Sequence, residues 1–312
     1  MRFVRLPDLT PTFISDFNSA PIWQYCARSR IIFGMNKLEA FGHVAALAIR
    51  GDLVFPTSVN AALRVQLALD DPDCPMEDAI KLVLAEPQLA ARTVSLSNSA
   101  MFNRTGGPDI TNVRNAIMRV GYHNLYALAA AMVVRAFGSK ITDPGLRAKA
   151  EQLWQHTIHV ACLARIIARE VTGVNPDTAL FAAIVHEVGS FYLLSRADEF
   201  PGLLEPDPEN WQTASEEIIT REVLKKLGIP AEVAEAIESL RNGMLQIPPE
   251  TLLDTLLLAN HFAPVASPLA PEQQQPPHED SVMDLFIDAE KREQMLEEAE
   301  ADASAMNAAL LV

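Results

Sequence analysis

Proline, glycine and Asx residues cut this chain into pieces of helical length, and this punctuation constrains its fold more than any other feature. Asp143-Pro144, Asn175-Pro176 and Gly228-Ile229-Pro230 are start signals. A proline fits a helix's first turn because its fixed φ is already helical and its missing N–H has no partner to lose there, and an Asx side chain before it caps the free amides. Gly51, Gly121, Gly138 and Gly173 stand where such pieces stop. The spacing predicts helices over 37–50, 56–69 (Val59, Leu63, Leu67), 75–85, 87–100 and 113–120, and a nearly all-apolar, buried helix over 122–138. Further helices are predicted over 144–172, over 176–189 and over 208–227, 230–242 and 249–263. No segment alternates apolar and polar residues as a half-buried strand would, and aromatic residues are only 6%. An all-α fold is expected.

The pieces group into a helical N-terminal extension over 1–50 and a main domain over 51–263, whose lobes cover about 51–140 and 141–263. A linker over 264–280 follows, marked by Gln273-Gln274-Gln275-Pro276-Pro277. In the last segment, 281–312, Val282, Leu285, Phe286, Ala289, Leu296, Ala299 and Met306 recur at helical intervals between acids. That pattern describes an acidic amphipathic helix, expected to fold back on the core, with docking on a partner as the alternative.

The formal net charge of −15 opposes nucleic-acid binding, which rests on Lys and Arg neutralising phosphates. Residues 279–302 hold ten acidic and two basic side chains, so they supply −8 of it and leave the rest only mildly acidic. Cys26, Cys74 and Cys162 are too few and too scattered for a disulfide framework. The longest apolar run, Leu125–Val134, is about half of the ~20 residues a membrane span needs, and the N-terminus lacks a signal-peptide core. A cytoplasmic protein is expected, without membrane insertion, and able to homodimerise through an apolar helix face.

The residues that could carry chemistry are His156, His159, His186, Glu187, Asn260 and His261. Imidazole and carboxylate groups brought together from several helices are how a bundle holds a divalent cation. Glu187, however, is one methylene longer than Asp, which displaces its carboxylate by about 1.5 Å, and Asn260 offers a neutral amide oxygen. His159 and His261 are expected to be hydrogen-bonded core residues.

With these residues on the page, the chain resembles the HDOD family, the output-type relatives of HD-domain metal phosphohydrolases. The likeness runs over about 51–263 through Gly51-Asp52-Leu53-Val54-Phe55-Pro56, Asp71-Pro72, Glu86-Pro87-Gln88-Leu89, Asn98-Ser99-Ala100, Asn115-Ala116-Ile117 and Gly121. It continues through Leu153-Trp154-Gln155-His156-Thr157, Ala183-Ile184-Val185-His186-Glu187-Val188-Gly189 and Leu258-Ala259-Asn260. By that resemblance His156 and His186 match metal-ligand positions. Glu187 and Asn260 stand where active relatives carry Asp, and Glu216 and Leu240 occupy the stretches where they carry further histidines.

The resemblance implies a two-lobe all-α domain that generally lacks hydrolase activity. It implies a role in bacterial signalling beside a histidine kinase, a response regulator or a cyclic-di-GMP enzyme. On this reading His156, His186, Glu187 and Asn260 are vestigial metal-site positions, with no catalytic residue, no bound metal and no cofactor. Pro56, Pro87, Asn98, Ser99, Ala100, Gly121, Trp154 and Gly189 are structural: helix boundaries, close packing and core. The expectation is a non-catalytic regulator acting through protein–protein contacts. The alternatives are an HD-type phosphohydrolase or phosphodiesterase, and a sensor that binds a nucleotide or metal without turnover.

Overall fold

The computed structural model describes residues 37–53, 74–139, 141–200, 203–204, 211–269 and 287–311. The expected helix over 56–69 with Pro56, the first 36 residues, most of the linker, and Val282, Leu285 and Phe286 lie outside them. Among the described residues the regular structure is entirely helical.

In the first half of the chain α1 (Lys37–Ile49), α2 (Met76–Leu84), α3 (Pro87–Asn98), α4 (Val113–Val120) and α5 (Tyr122–Gly138) follow the punctuation closely. Glu86 is the N-cap of α3 with Pro87 in its first turn. The Asn112 side chain caps α4 by accepting from the Asn115 amide. Asn98 closes the loop between these two helices in both directions: its Oδ1 accepts from the Ile110 amide and its Nδ2 donates to the Ile110 carbonyl, both at 2.8 Å. Asn98 thus ties the end of α3 to the loop before α4. Gly121 ends α4 and begins α5 with φ +82°, a conformation that costs other residues steric strain.

The second half of the chain holds α6 (Pro144–Ile167), α7 (Pro176–Val185), α8 (Val188–Ala197), α9 (Trp211–Lys226), α10 (Ala231–Ser239) and α11 (Leu252–Phe262). Two expectations change here. The helix begun at Pro144 does not run unbroken to Thr172, because its last turn, Ala168–Thr172, is a π-helix. The helix begun at Pro176 stops at Val185, and a separate helix, α8, starts at Val188; the sequence pattern had placed no helix there. His186 and Glu187 occupy the break between them. The backbone of Glu187 (φ −99°, ψ 15°) is non-helical, which ends one hydrogen-bond ladder and starts the next.

The run from Pro176 to Ala197 is long and apolar enough to cross a membrane by length and composition, but most of it is buried in this fold. Every residue from Ala179 to Val185 is buried, because α7 threads between α5 and α6. Each large side chain such as Leu180 or Ile184 then contributes about 1.5–3 kcal/mol through its lost water contact. Gly189 lets α8 approach α9, where a Cβ would stand 2.0 Å from Thr220 Oγ1 and 3.0 Å from Thr220 Cα.

The tail helix α12 (Ala289–Leu311) folds back along α6 and α3, as expected of its amphipathic pattern. Its inner stripe, Met295, Ala299, Ala303, Met306, Ala309 and Leu310, is buried.

Candidate functional site

Three helices converge on one point. α6 presents His156, the α7–α8 break presents His186 and Glu187, and α11 presents Asn260. The histidine rings lie 5.4 Å apart between centroids, tilted by 54°. His156 Nε2 and Glu187 Oε1 are 4.0 Å apart. One ligand atom from each of His156, His186 and Glu187 lies within 4.8 Å of the others. The extra methylene of glutamate therefore does not take its carboxylate out of the cluster, because the helix break turns Glu187 inward.

Backbone carbonyls fix both rings. His156 Nδ1 stands 2.7 Å from the Val265 carbonyl and His186 Nδ1 2.5 Å from the Ala183 carbonyl. Only an N–H can bond a carbonyl oxygen, so each Nδ1 carries the proton and each neutral ring keeps a bare lone pair on Nε2. Both Nε2 atoms are buried and have no hydrogen-bond partner among the described residues. A ring held through Nδ1 with Nε2 free is the arrangement metal-binding histidines use.

The electrostatics follow from burial. Burial pushes the His186 imidazole down to about 4, against the pull of the Glu187 carboxylate, and the neighbouring His156 ring adds to the depression. Burial also pushes the Glu187 carboxyl up, but the two imidazoles and the hydroxyls of Ser190 and Ser267 outweigh it and hold the group below its ordinary value. Ser190 Oγ donates to Glu187 Oε2 at 2.5 Å. Asn260 is tied back on its own helix, its Nδ2 donating to the Leu256 carbonyl at 3.1 Å, and its amide side chain slightly favours the protonated form of His186.

Ser190, Ser267 and the Val265 carbonyl escaped the sequence reading. Ser190, one helical turn beyond Glu187, was the only one with a readable spacing.

The donor set fits one divalent ion, which His156 Nε2, His186 Nε2 and the Glu187 carboxylate would hold. Bond lengths near 2.0–2.2 Å require neighbouring donors about 3 Å apart, so the cluster must contract to grip one. Such an ion supplies a fixed positive charge that polarises oxygen ligands.

The other candidates are elsewhere. His159 points at the tail, with Nδ1 2.6 Å from the Gln155 carbonyl and Nε2 2.8 Å from Glu300 Oε2. His261 is half-buried beside Phe262. Trp154 is buried in the core, and its Nε1 donates to Asn307 Oδ1 of α12 at 3.1 Å. Glu216 pairs with Arg241 at 2.5 Å, outside the cluster.

The model of the HDOD domain matches residues 55–237, more than half of the chain. The chain belongs to the HDOD family. Solved structures agree on the fold of this HDOD protein. A Shewanella amazonensis protein named for metal-dependent phosphohydrolase activity superposes with a TM-score of 0.65 at 20% identity, covering 87% of this chain and 99% of that one. An HDOD domain protein of unknown function from Geobacter sulfurreducens gives 0.56 at 19% identity, covering 85% and 92%. A protein from Marinobacter aquaeolei VT8 named for signal transduction gives 0.55 at 20%, covering 89% and 66%. At these identities the likeness is one of fold. No curated protein matches the sequence.

Proposed function

We propose that this HDOD protein is a non-catalytic signalling regulator that works through protein–protein contacts, in two-component or cyclic-di-GMP type pathways. The observation that carries this reading is the single carboxylate at the converging cluster. Among the described residues, Glu187 alone brings formal negative charge to the pair of histidines, and Asn260 brings a neutral amide. Two histidines and one glutamate can hold a single dication, but clamping both the attacking and the leaving oxygen of a phosphodiester takes a pair of ions. One carboxylate, already bonded to Ser190, and a neutral amide leave a second ion without anionic ligands. The name carried by the Marinobacter structure is in keeping with a signalling role.

Purified protein tests this directly, through metal content by elemental analysis and turnover of phosphodiester substrates with manganese and zinc. The expected result is no hydrolysis above the His186→Ala background. Hydrolysis by the unmodified chain that vanishes in that variant overturns the reading.

A second reading, a metal-binding sensor without turnover, is favoured by the two buried, bare Nε2 atoms beside a carboxylate. Stoichiometric metal without hydrolysis, lost in His186→Ala, selects it. Saturation at 100 times the dissociation constant then stabilises the fold by about 2.7 kcal/mol.

A further inference from the structure

The best-developed contact surface outside the histidine cluster is the face that α12 covers. Its apolar seam receives Met295, Ala299, Ala303, Met306 and Leu310. Cations from three different places in the core surround that seam. Arg104, in the loop after α3, pairs with Glu298 and reaches Asp302 at 3.3 Å. Arg165 on α6 stands 3.7 Å from Asp302, and Arg169 in the π-turn stands 2.9 Å from Glu298. At the far end Arg135 and Trp154 both donate to Asn307 Oδ1, at 3.3 and 3.1 Å. The chain as a whole is strongly acidic, so arginines gathered on one face of it mark a surface complementary to acids.

What fits this face is visible in place: an amphipathic helix with small and Met side chains inward and acids at its edges. That is the helix-in-groove mode of recognition, read through anchors at helical spacing. The tail's hold is mainly its buried apolar stripe, and the part-exposed ion pairs at its edges, which contribute about 0–1 kcal/mol each, set which helix fits more than how tightly it binds. The tail also lies outside the residues matched by the family model.

We infer that the α12-covered face is a docking surface for an acidic amphipathic helix presented by a partner protein, with the chain's own tail as its intramolecular competitor. This deepens the adaptor reading and rests on it. A tethered tail competes at an effective concentration of about millimolar, so a free helix binds the unmodified chain weakly and binds strongly once the tail is released.

The test uses the full chain and a fluorescent peptide of residues 287–311 as the probe, read by anisotropy. In one chain the tail is weakened by Glu298→Arg with Asp302→Arg, and in a second by Met306→Asp. Both leave the docking face intact, and circular dichroism checks that each remains folded. The peptide is expected to bind a tail-weakened chain at least tenfold tighter than the unmodified chain. Adding Arg104→Glu and Arg169→Glu to the Met306→Asp chain should remove that gain, and a peptide carrying Glu298→Arg and Asp302→Arg should restore it.

Absence of peptide binding to both tail-weakened chains overturns the inference, and so does binding that ignores the arginine reversals. Light scattering of the unmodified chain and of the Met306→Asp chain reports the remaining occupant. A dimer that Met306→Asp dissociates assigns the face to a second copy's tail and also overturns the partner assignment. Loss of this surface while the protein still captures a signalling partner would sink the docking site and leave the adaptor reading standing.

Discussion

His156 Nε2 lies 4.0 Å from Glu187 Oε1, and no polar group among the described residues hydrogen-bonds that nitrogen. A carboxylate and a bare imidazole lone pair so placed face one another. Whatever bridges them must satisfy both, and a cation or a proton does so better than any neutral group.

The balance at the cluster is set by how little negative charge it holds. Asn260→Asp adds a second carboxylate next to His186 and is expected to strengthen manganese or zinc binding at least tenfold over the unmodified chain. Isothermal titration of both proteins checks this. Equal affinities would mean that Asn260 does not face the space between the histidines.

The depressed His186 pKa makes stability depend on pH. The folded ring titrates at about 4 and an unfolded one near 6.5, so the unfolded state binds the proton first. The contribution is fully present above about pH 6.5 and is lost as pH falls towards 4, amounting to about 3 kcal/mol. Thermal melts across this window should show the loss, and His186→Gln should flatten it. A slope that survives the substitution assigns the effect to another group.

Gly189→Ala places a methyl 2.0 Å from Thr220 Oγ1 and 3.0 Å from Thr220 Cα. The clash reaches backbone, so α8 must retreat from α9, at a cost of about 1–3 kcal/mol or more. Thr220→Gly should recover only part of that loss, because the backbone contact remains. Chemical denaturation of the single and double variants measures both.

Asp254 is fully buried at the start of α11. It accepts from the amides of Gln246, Glu250 and Thr251, and from the Thr251 hydroxyl at 2.6 Å. Burial pushes its carboxyl up, but these donors outweigh it and hold the group below its ordinary value, so its stabilisation fades in acid as it takes up a proton. Asp254→Asn is expected to cost about 2 kcal/mol, since one amide oxygen cannot serve donors arranged for two. Thr251→Ala, which removes the reciprocal cap, should cost about 1 kcal/mol.

Much of the fold was legible without coordinates. Asp143 and Asn175 cap the helices they precede. The apolar stretch 122–138 is the buried α5, and Gly121 and Gly173 close the elements before them. Caps, proline turns and apolar spacing act between residues a few positions apart, so the chain declares them locally. Histidines 156 and 186 and Glu187 could be singled out by type and by resemblance, and the acidic tail by its periodicity.

Tertiary structure alone decided the rest. The break at His186-Glu187 interrupts a stretch with no proline or glycine between Pro176 and Glu187 to announce it. Both rings receive their orientation from carbonyls, one of them Val265, which is remote in sequence. The face under α12 is assembled from Arg104, Trp154, Arg165 and Arg169, whose shared partners, Glu298, Asp302 and Asn307, lie far along the chain. Contacts of that kind depend on how helices stack in space, and hydrophobic spacing, which reports only which side of each helix avoids water, carries no record of which helix it will meet.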